Sequence, residues 1–335
     1  MTDDGTTTHA VRIHRYGGPE EMRYERVEVP PPGDGEVQIR HRTVGVNYLD
    51  TYHCRGVFPL PQLPGALGVE GAGEVVAVGA GVKAFAAGDR VTYIGRPIGS
   101  YAGVRNIAAD YVLPLPDNVT FEQAGAATLQ GLTAHMLLRR VAPLGNRDTV
   151  LVHAAAGGLG SLLCQWARLE GARVIGTVGS EEKARLALDR GCDDIILYRE
   201  EPFVDGVRRL TDGEGVDAVY EGLGGEVFHQ SLTCLKAFGH LINLGQVAEG
   251  LPTVNLADLG PANPRTVSVP GVFAYVACRQ RLEAAGRELF DLISRGMLRV
   301  HVGGSYPLQE AAAAHQALKG RETSGSLILW PEHEG

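Results

Sequence analysis

Between Thr149 and Arg168 an apolar strand, Thr149-Val-Leu-Val-His-Ala-Ala155, passes through a glycine turn into a helix that Gly160-Ser-Leu-Leu-Cys-Gln-Trp-Ala-Arg168 opens. This segment limits the fold more tightly than any other. A strand that turns on glycine into a helix presents bare N–H groups at the positive end of the helix dipole, where a pyrophosphate can reach the backbone. The turn Ala155-Ala-Gly157-Gly158-Leu159-Gly160 follows the dinucleotide pattern of three spaced glycines, with Ala155 in the first position. Alone the pattern is weak, and a turn serving only close helix–sheet packing would look the same. Its setting strengthens it. Strands predicted at 173–178, 194–198, 216–220, 240–244 and 266–272 alternate with helices from 158, from Ser180, near 203–211 and at 226–236. Such alternation implies a parallel sheet covered by helices on both faces.

Before this region the chain has a different character. Residues 36–44, 73–78 and 89–93 alternate apolar with polar between Gly- and Pro-rich turns, the period of half-buried strands in a mostly antiparallel β domain. The boundary falls near Thr120-Phe-Glu-Gln123, a capping-box pattern that predicts a helix running to about Arg140. After about residue 275 the sequence predicts a long amphipathic helix, a strand at 299–302, a short helix and a strand at 326–330.

With 335 residues the chain is long enough for two domains, and glycine, 45 of them, stands at about twice its usual share. That excess fits tight turns and close backbone approaches. A net charge of −8 argues against nucleic acid or an anionic membrane as the main partner, so a phosphate site must be local. The polar start of the chain lacks an apolar signal core. The uncharged run 149–167 reads as strand, turn and helix, not as a membrane span. Five scattered cysteines, never spaced as CxxC, fit reduced thiols and a cytoplasmic location.

An NAD site usually ends the second strand on Asp or Glu, which binds the ribose hydroxyls. Here that strand ends Thr177-Val-Gly179-Ser180, without an acid, and Lys183 follows in the first turn of the next helix. The missing carboxylate removes repulsion toward a 2′-phosphate and Lys183 supplies a counter-charge, so the residues favour NADPH. Read alone, Lys183 is equally a solvated helix residue.

Several motifs together resemble the medium-chain dehydrogenase/reductase superfamily, and within it the zinc-free quinone oxidoreductases of the zeta-crystallin-like branch. They are Asn47-Tyr-Leu-Asp-Thr-Tyr52, Gly68-Val-Glu70, Gly88-Asp-Arg-Val91, Gln130-Gly-Leu-Thr133, His153-Ala-Ala-Ala-Gly-Gly-Leu-Gly160, Gly179-Ser-Glu-Glu-Lys183 and Tyr198-Arg-Glu-Glu201. The resemblance runs along essentially the whole chain and implies an α/β protein of two domains. These are a GroES-like β-rich catalytic domain from residues 1–128 and 274–335 and a doubly wound Rossmann NADPH-binding domain over 129–273.

In that resemblance Asn47 stands where zinc-dependent relatives carry a catalytic cysteine, and Val69 where they carry a histidine. Neither supplies a thiolate or imidazole ligand, so no zinc is expected. Adjacent His53 and Cys54 without a third ligand read as packing residues. Without a Lewis acid, quinones and α,β-unsaturated carbonyls are the fitting acceptors, because they spread the charge that hydride transfer builds. Hydrogen-bond donors then suffice as help.

The resemblance implicates Asn47 and Tyr52 beside the nicotinamide and Thr133 at the mouth of the same cleft. It also implies cofactor contacts at Asn47, Asp50, Gly157, Gly158, Leu159, Gly179, Ser180, Lys183, Tyr198, Gly245, Gln246, Val272 and Arg321. Plainer roles stand beside these: Asn47 as a turn cap, Tyr52 as a packing aromatic, Asp50 as a backbone anchor, Arg321 as a surface charge. A second tyrosine common in the family is Phe58 here, which removes a phenol from the substrate region. The expected activity is NADPH-dependent quinone reduction. An enone or enoyl reductase shares every motif, and an idle NADPH-binding structural or RNA-binding relative is the third reading. The family pairs its edge strand across a homodimer, and 266–272 would be that strand here.

Overall fold

A computed structural model describes residues 5–245, 247, 253–320 and 323–331. The chain divides into two compact units, one of residues 1–132 with 275–335 and one of residues 133–274.

The first unit begins with an antiparallel hairpin of β1 (Thr6–Ile13) and β2 (Met22–Val29). Then follow β3 (Glu36–Val46), helix α1 (Tyr48–Arg55), the short β4 (Gly65–Ala66), β5 (Glu70–Val78), β6 (Arg90–Ile94), β7 (Val104–Ala108) and β8 (Val112–Pro114). In β3 the alternation read from residues 36–44 places Val37 and Ile39 in one core cluster, while Val44, out of phase with them beyond a register shift, joins another, and β3 pairs antiparallel with both β5 and β7. Helix α2 (Phe121–Met136) carries the chain to the second unit. The predicted capping box opens it: Gln123 N–H donates to Thr120 Oγ1 at 3.1 Å, and Thr120 N–H donates to Gln123 Oε1 at 3.0 Å. Where the sequence predicted helix to about Arg140, residues Leu137–Val141 widen into a π turn.

The second unit is the alternating α/β body. Strand β9 (Thr149–Val152) leads through the glycine turn to α3 (Gly158–Leu169), and then come β10 (Arg173–Val178), α4 (Glu181–Asp189), β11 (Asp194–Leu197) and α5 (Phe203–Leu210). Strand β12 (Val216–Glu221), α6 (Gly225–Thr233), β13 (Leu235–Asn243), β14 (Thr266–Ser268) and α7 (Val272–Val276) complete it. Its described strands lie in the order β11-β10-β9-β12-β13-β14, all parallel, around a core that includes Leu151, Ile175, Val219 and Leu241.

Two expected boundaries here were wrong. The helix predicted at 226–236 stops at Thr233, and β13 starts at Leu235 because Leu235 is buried and pairs with Val216. A register shift then lifts Phe238 out of the ladder at φ +66, 83% exposed. The strand predicted at 266–272 ends at Ser268. Pro270 has no N–H to donate and restricts Val269 before it.

The chain then returns to the first unit with α8 (Arg279–Ser294), β15 (Val302–Pro307), α9 (Ala311–Gly320) and β16 (Ser326–Trp330). Arg279 fastens α8 by donating to the carbonyls of Ala109, Asp110 and Val112. The strand expected at 299–302 lies at 302–307 instead, parallel to β16. Its Gly303-Gly304 pair carries no hydropathic signal, yet a Cβ at Gly303 would sit 1.5 Å from the Ser324 carbonyl oxygen. Among the described residues no helix is long and apolar enough to cross a membrane.

Candidate active site

In the first unit the site is built around the corner between β3 and α1. Gly45 and Val46 end the strand, and Asn47 takes the N-cap position of α1 with extended backbone (φ −127, ψ 155). Its N–H donates to Asp50 Oδ2 at 2.8 Å, the carboxylate half of a capping arrangement. The Asn47 side chain is turned elsewhere: Nδ2 donates to Glu70 Oε1 at 2.6 Å, and Oδ1 accepts from Gln130 Nε2 at 3.4 Å. Glu70 begins β5 and takes a second hydrogen bond on Oε2 from the backbone N–H of Leu129 in α2 at 2.7 Å. Val69, beside it, is fully buried and apolar.

Asp50 was expected among the cofactor contacts, and the structure gives it a different position. It is 0% exposed, and its Oδ2 accepts from both the Asn47 N–H and the Tyr101 hydroxyl, the latter at 3.1 Å. Tyr101 in turn bonds His315 Nε2 of α9 at 2.8 Å. A group so enclosed acts on the site through Asn47. Burial pushes the Asp50 carboxyl up to about 7 against the pull of its two donors, and burial holds His315 down at about 4. Tyr52 lies half-buried with its ring edge-on to Phe58 at 5.8 Å, so the two aromatics pack against each other. His53 turns Nδ1 to the Phe58 carbonyl at 2.7 Å, and Cys54 is buried. Among the described residues no group of three His, Cys, Asp or Glu could hold a metal ion.

In the second unit the glycine turn fits a phosphate. Gly157, extended at φ −76 and ψ 173, is the N-cap of α3, and Gly157, Gly158 and Leu159 are half-exposed. The first N–H groups of a helix have no intrahelical acceptor, so they can point at an anion. Gly160 permits the tight return, because a Cβ there would lie 2.3 Å from the Ala154 carbonyl oxygen. His153 pins the turn from below, meeting Thr177 Oγ1 at 3.0 Å and Ser231 Oγ at 2.9 Å, with burial holding it neutral at about 4.

Strand β10 ends at Val178, Gly179 and Ser180 follow it without an acid, and Ser180 caps α4 by accepting from the Lys183 N–H at 3.4 Å. Tyr198 closes β11 with its hydroxyl over Gly179, where a Cβ would lie 2.5 Å from that oxygen. The same Cβ would be 3.4 Å from Arg199 Nε, so a second cation stands at this corner. Sequence reasoning missed Arg199 because a charge in a turn carries no periodic signal.

At the carboxyl ends of β12 and β13, buried Glu221 accepts from Leu223 N–H, Gly224 N–H and Asn243 Nδ2. Asn243 also donates to the Gly245 carbonyl at 3.0 Å, so the loops after both strands are tied together. Val272 starts α7, and Thr133 lies half-buried in α2. Gln246 and Arg321 lie outside the described residues. Glu70, Tyr101, His315 and Glu221 had no assigned role in the sequence. An acid at the start of β5, among apolar and glycine neighbours, and a histidine in the run Ala311-Ala-Ala-Ala-His315, were signals that could have marked two of them.

Comparisons with known proteins agree with this architecture. A family model described as zinc-binding dehydrogenase matches residues 158–291, and one described as alcohol dehydrogenase GroES-like domain matches residues 33–117. A quinone oxidoreductase of Pseudomonas aeruginosa is 41% identical, the match covering 96% of this chain and 99% of that protein. A 2-haloacrylate reductase of a Burkholderia species is 38% identical over the same shares of the two chains. The crystal structure of Escherichia coli quinone oxidoreductase complexed with NADPH superimposes with a TM-score of 0.94 at 40% identity, covering 97% of this chain and 100% of that one.

Proposed function

The chain belongs to the zinc-free quinone oxidoreductase branch of the medium-chain dehydrogenase/reductase superfamily, and from that premise we propose that it reduces a quinone with NADPH. The observation that carries the reading is the near-full-length match to quinone oxidoreductases, joined to a dinucleotide turn whose next strand ends without a carboxylate. Bound NADPH supplies the reducing equivalents. The chain's own residues bind, orient and stabilise.

Gly158 and Leu159 offer backbone N–H groups to the pyrophosphate, and Gly157, whose own N–H donates to the Ala154 carbonyl at 2.8 Å, lines its approach without a side chain. Gly179, Ser180, Lys183 and Tyr198 receive the adenosine end, with Lys183 and Arg199 countering a 2′-phosphate. Gly245, Gln246, Val272 and Arg321 complete the proposed cofactor contacts. Asn47 and Tyr52 are the proposed donors to the acceptor's oxygen, where neutral hydrogen bonds suffice because a conjugated system shares the developing charge. Thr133 is assigned to substrate orientation. Neither Asn47 nor Val69 is a zinc ligand.

Purified protein given para- and ortho-quinones should oxidise NADPH, and NADH much more slowly. No turnover with any quinone would overturn the reading. A second reading, reduction of a C=C bond conjugated to a carbonyl, is favoured by the 2-haloacrylate reductase at 38% identity. Enones and haloacrylates assayed beside the quinones separate the two by the larger kcat/KM.

We further assign the chain to the cytoplasm as a homodimer. Support comes from β14 at the sheet edge, the exposed Phe238 near it, and free thiols including Cys164 and Cys192 at an Sγ–Sγ separation of 3.4 Å.

A further inference from the structure

Glu70 is a carboxylate in the core, 1% exposed. Room has been cleared for it: a Cβ on Gly45 would lie 2.3 Å from Glu70 Oε1 and 2.4 Å from the Gly125 carbonyl oxygen. Each of its oxygens meets one donor, Asn47 Nδ2 at 2.6 Å and the Leu129 N–H at 2.7 Å. We propose that Glu70 is the positioning residue for Asn47, taking one hydrogen of the Asn47 amide so that the other N–H is left to meet the acceptor's oxygen. The proposal rests on the functional reading above, in which Asn47 is that donor.

An asparagine amide can present either end to a neighbour, and the two ends differ only in hydrogen-bonding sense. Glu70 settles the sense here. An ionised carboxylate only accepts, so the amide nitrogen must face it and the amide oxygen must face Gln130. Gln130 is itself oriented, its Oε1 accepting from Ser326 Oγ at 2.8 Å and its Nε2 donating to Asn47 Oδ1. With the backbone N–H on Asp50, Asn47 is held by two buried carboxylates at once.

Glutamate is the side chain this place requires. Glutamine offers one acceptor oxygen and would set an NH2 group against a donor, leaving one of the two N–H groups without an acceptor. The titratable groups bearing on Glu70 are Asp50, Tyr93 and Tyr101, all buried. Burial pushes the Glu70 carboxyl up to about 8, with Asp50 adding to the rise and the donors at Asn47 and Leu129 opposing it. The ionised form that grips the amide therefore prevails above about 8, and the grip weakens as Glu70 takes up a proton below it.

Two readouts test this. The seven asparagines are few enough for selective 15N labelling, with the Asn47 side-chain pair assigned by its loss in Asn47→Ala. Over about pH 6 to 9 the Asn47 amide protons should show a step with a midpoint near 8 in the native protein, and Glu70→Gln should abolish that step while leaving any response to Asp50 near 7. The second readout is a double-mutant cycle. Glu70→Gln should lower kcat about tenfold, the scale of one misplaced hydrogen bond, with little change in the KM for NADPH. In an Asn47→Ala background it should add almost nothing.

An Asn47 amide that shows no step near 8, or that keeps the step in Glu70→Gln, overturns the proposal. So does a Glu70→Gln loss that multiplies the Asn47→Ala loss, which marks a purely structural role. The native titration needs no variant at Glu70 to fold. It also needs no activity, so a failure of quinone reduction would remove the functional reading while leaving the Glu70–Asn47 coupling separately decided.

Discussion

Lys183 follows the acid-free end of β10, where a 2′-phosphate would need a cation, and Arg199 lies beside Gly179 at that end. Removing one charge-assisted contact costs roughly 1.5–3 kcal/mol. Lys183→Ala is therefore expected to raise the KM for NADPH about tenfold or more while leaving that for NADH almost unchanged, read from initial rates with each cofactor. The buried carboxyls give a second expectation. Asp50 and Glu70 are pushed up to about 7 and about 8 from ordinary values of 3.8 and 4.5, so the native chain holds their protons more tightly than the unfolded chain does. Their contribution to stability is whole below those ordinary values and is lost as pH rises through 7 and 8. Melting temperatures measured at steps from pH 5 to 9 should fall across that window, and Glu70→Gln should flatten the fall. An unchanged slope in the variant would show that Glu70 ionises without strain. At this scale the sequence displayed Asn47, Lys183 and the missing acid, because residue type alone carries their chemistry. It showed Glu70 without its meaning, because a carboxylate gains meaning from the donors that the fold brings to it.

Elements such as α2 and α3 begin where short-range chemistry says they should. The Thr120–Gln123 box is local, so it was legible, and Thr120→Ala should lower stability by about 1 kcal/mol in a denaturant titration. The start of α3 depends on Gly160, whose Cβ would strike the Ala154 carbonyl oxygen at 2.3 Å. Gly160→Ala must move that backbone. It should weaken NADPH binding about tenfold or more by calorimetry, a larger effect than on overall folding. Elements went astray in the sequence where tertiary pairing overrode local pattern. β13 starts early because Leu235 finds Val216 across the ladder, and β15 is shifted because Gly303 fits beneath the Ser324 carbonyl. Neither partner is near in sequence.

Taken whole, the molecule is a GroES-like unit and a Rossmann unit in one chain, the second interrupting the first. NADPH at 100 times its Kd should stabilise the native protein by about 2.7 kcal/mol, seen as a rise in melting temperature. If the edge strand β14 pairs across a two-fold, sedimentation will give twice the 35.7 kDa of one chain, and a single-chain mass would remove the dimer from the proposal. Its alternating α/β plan, its dinucleotide turn and the lack of a carboxylate after β10 were determined by sequence alone, because periodicity, glycine and charge act over a few residues. Only the tertiary structure decided that Asp50 is sealed from solvent, that His315 reaches Tyr101 from the far end of the chain, and that Glu70 grips Asn47. These are contacts between elements distant in sequence, and burial, which sets their protonation, exists only once the elements have packed.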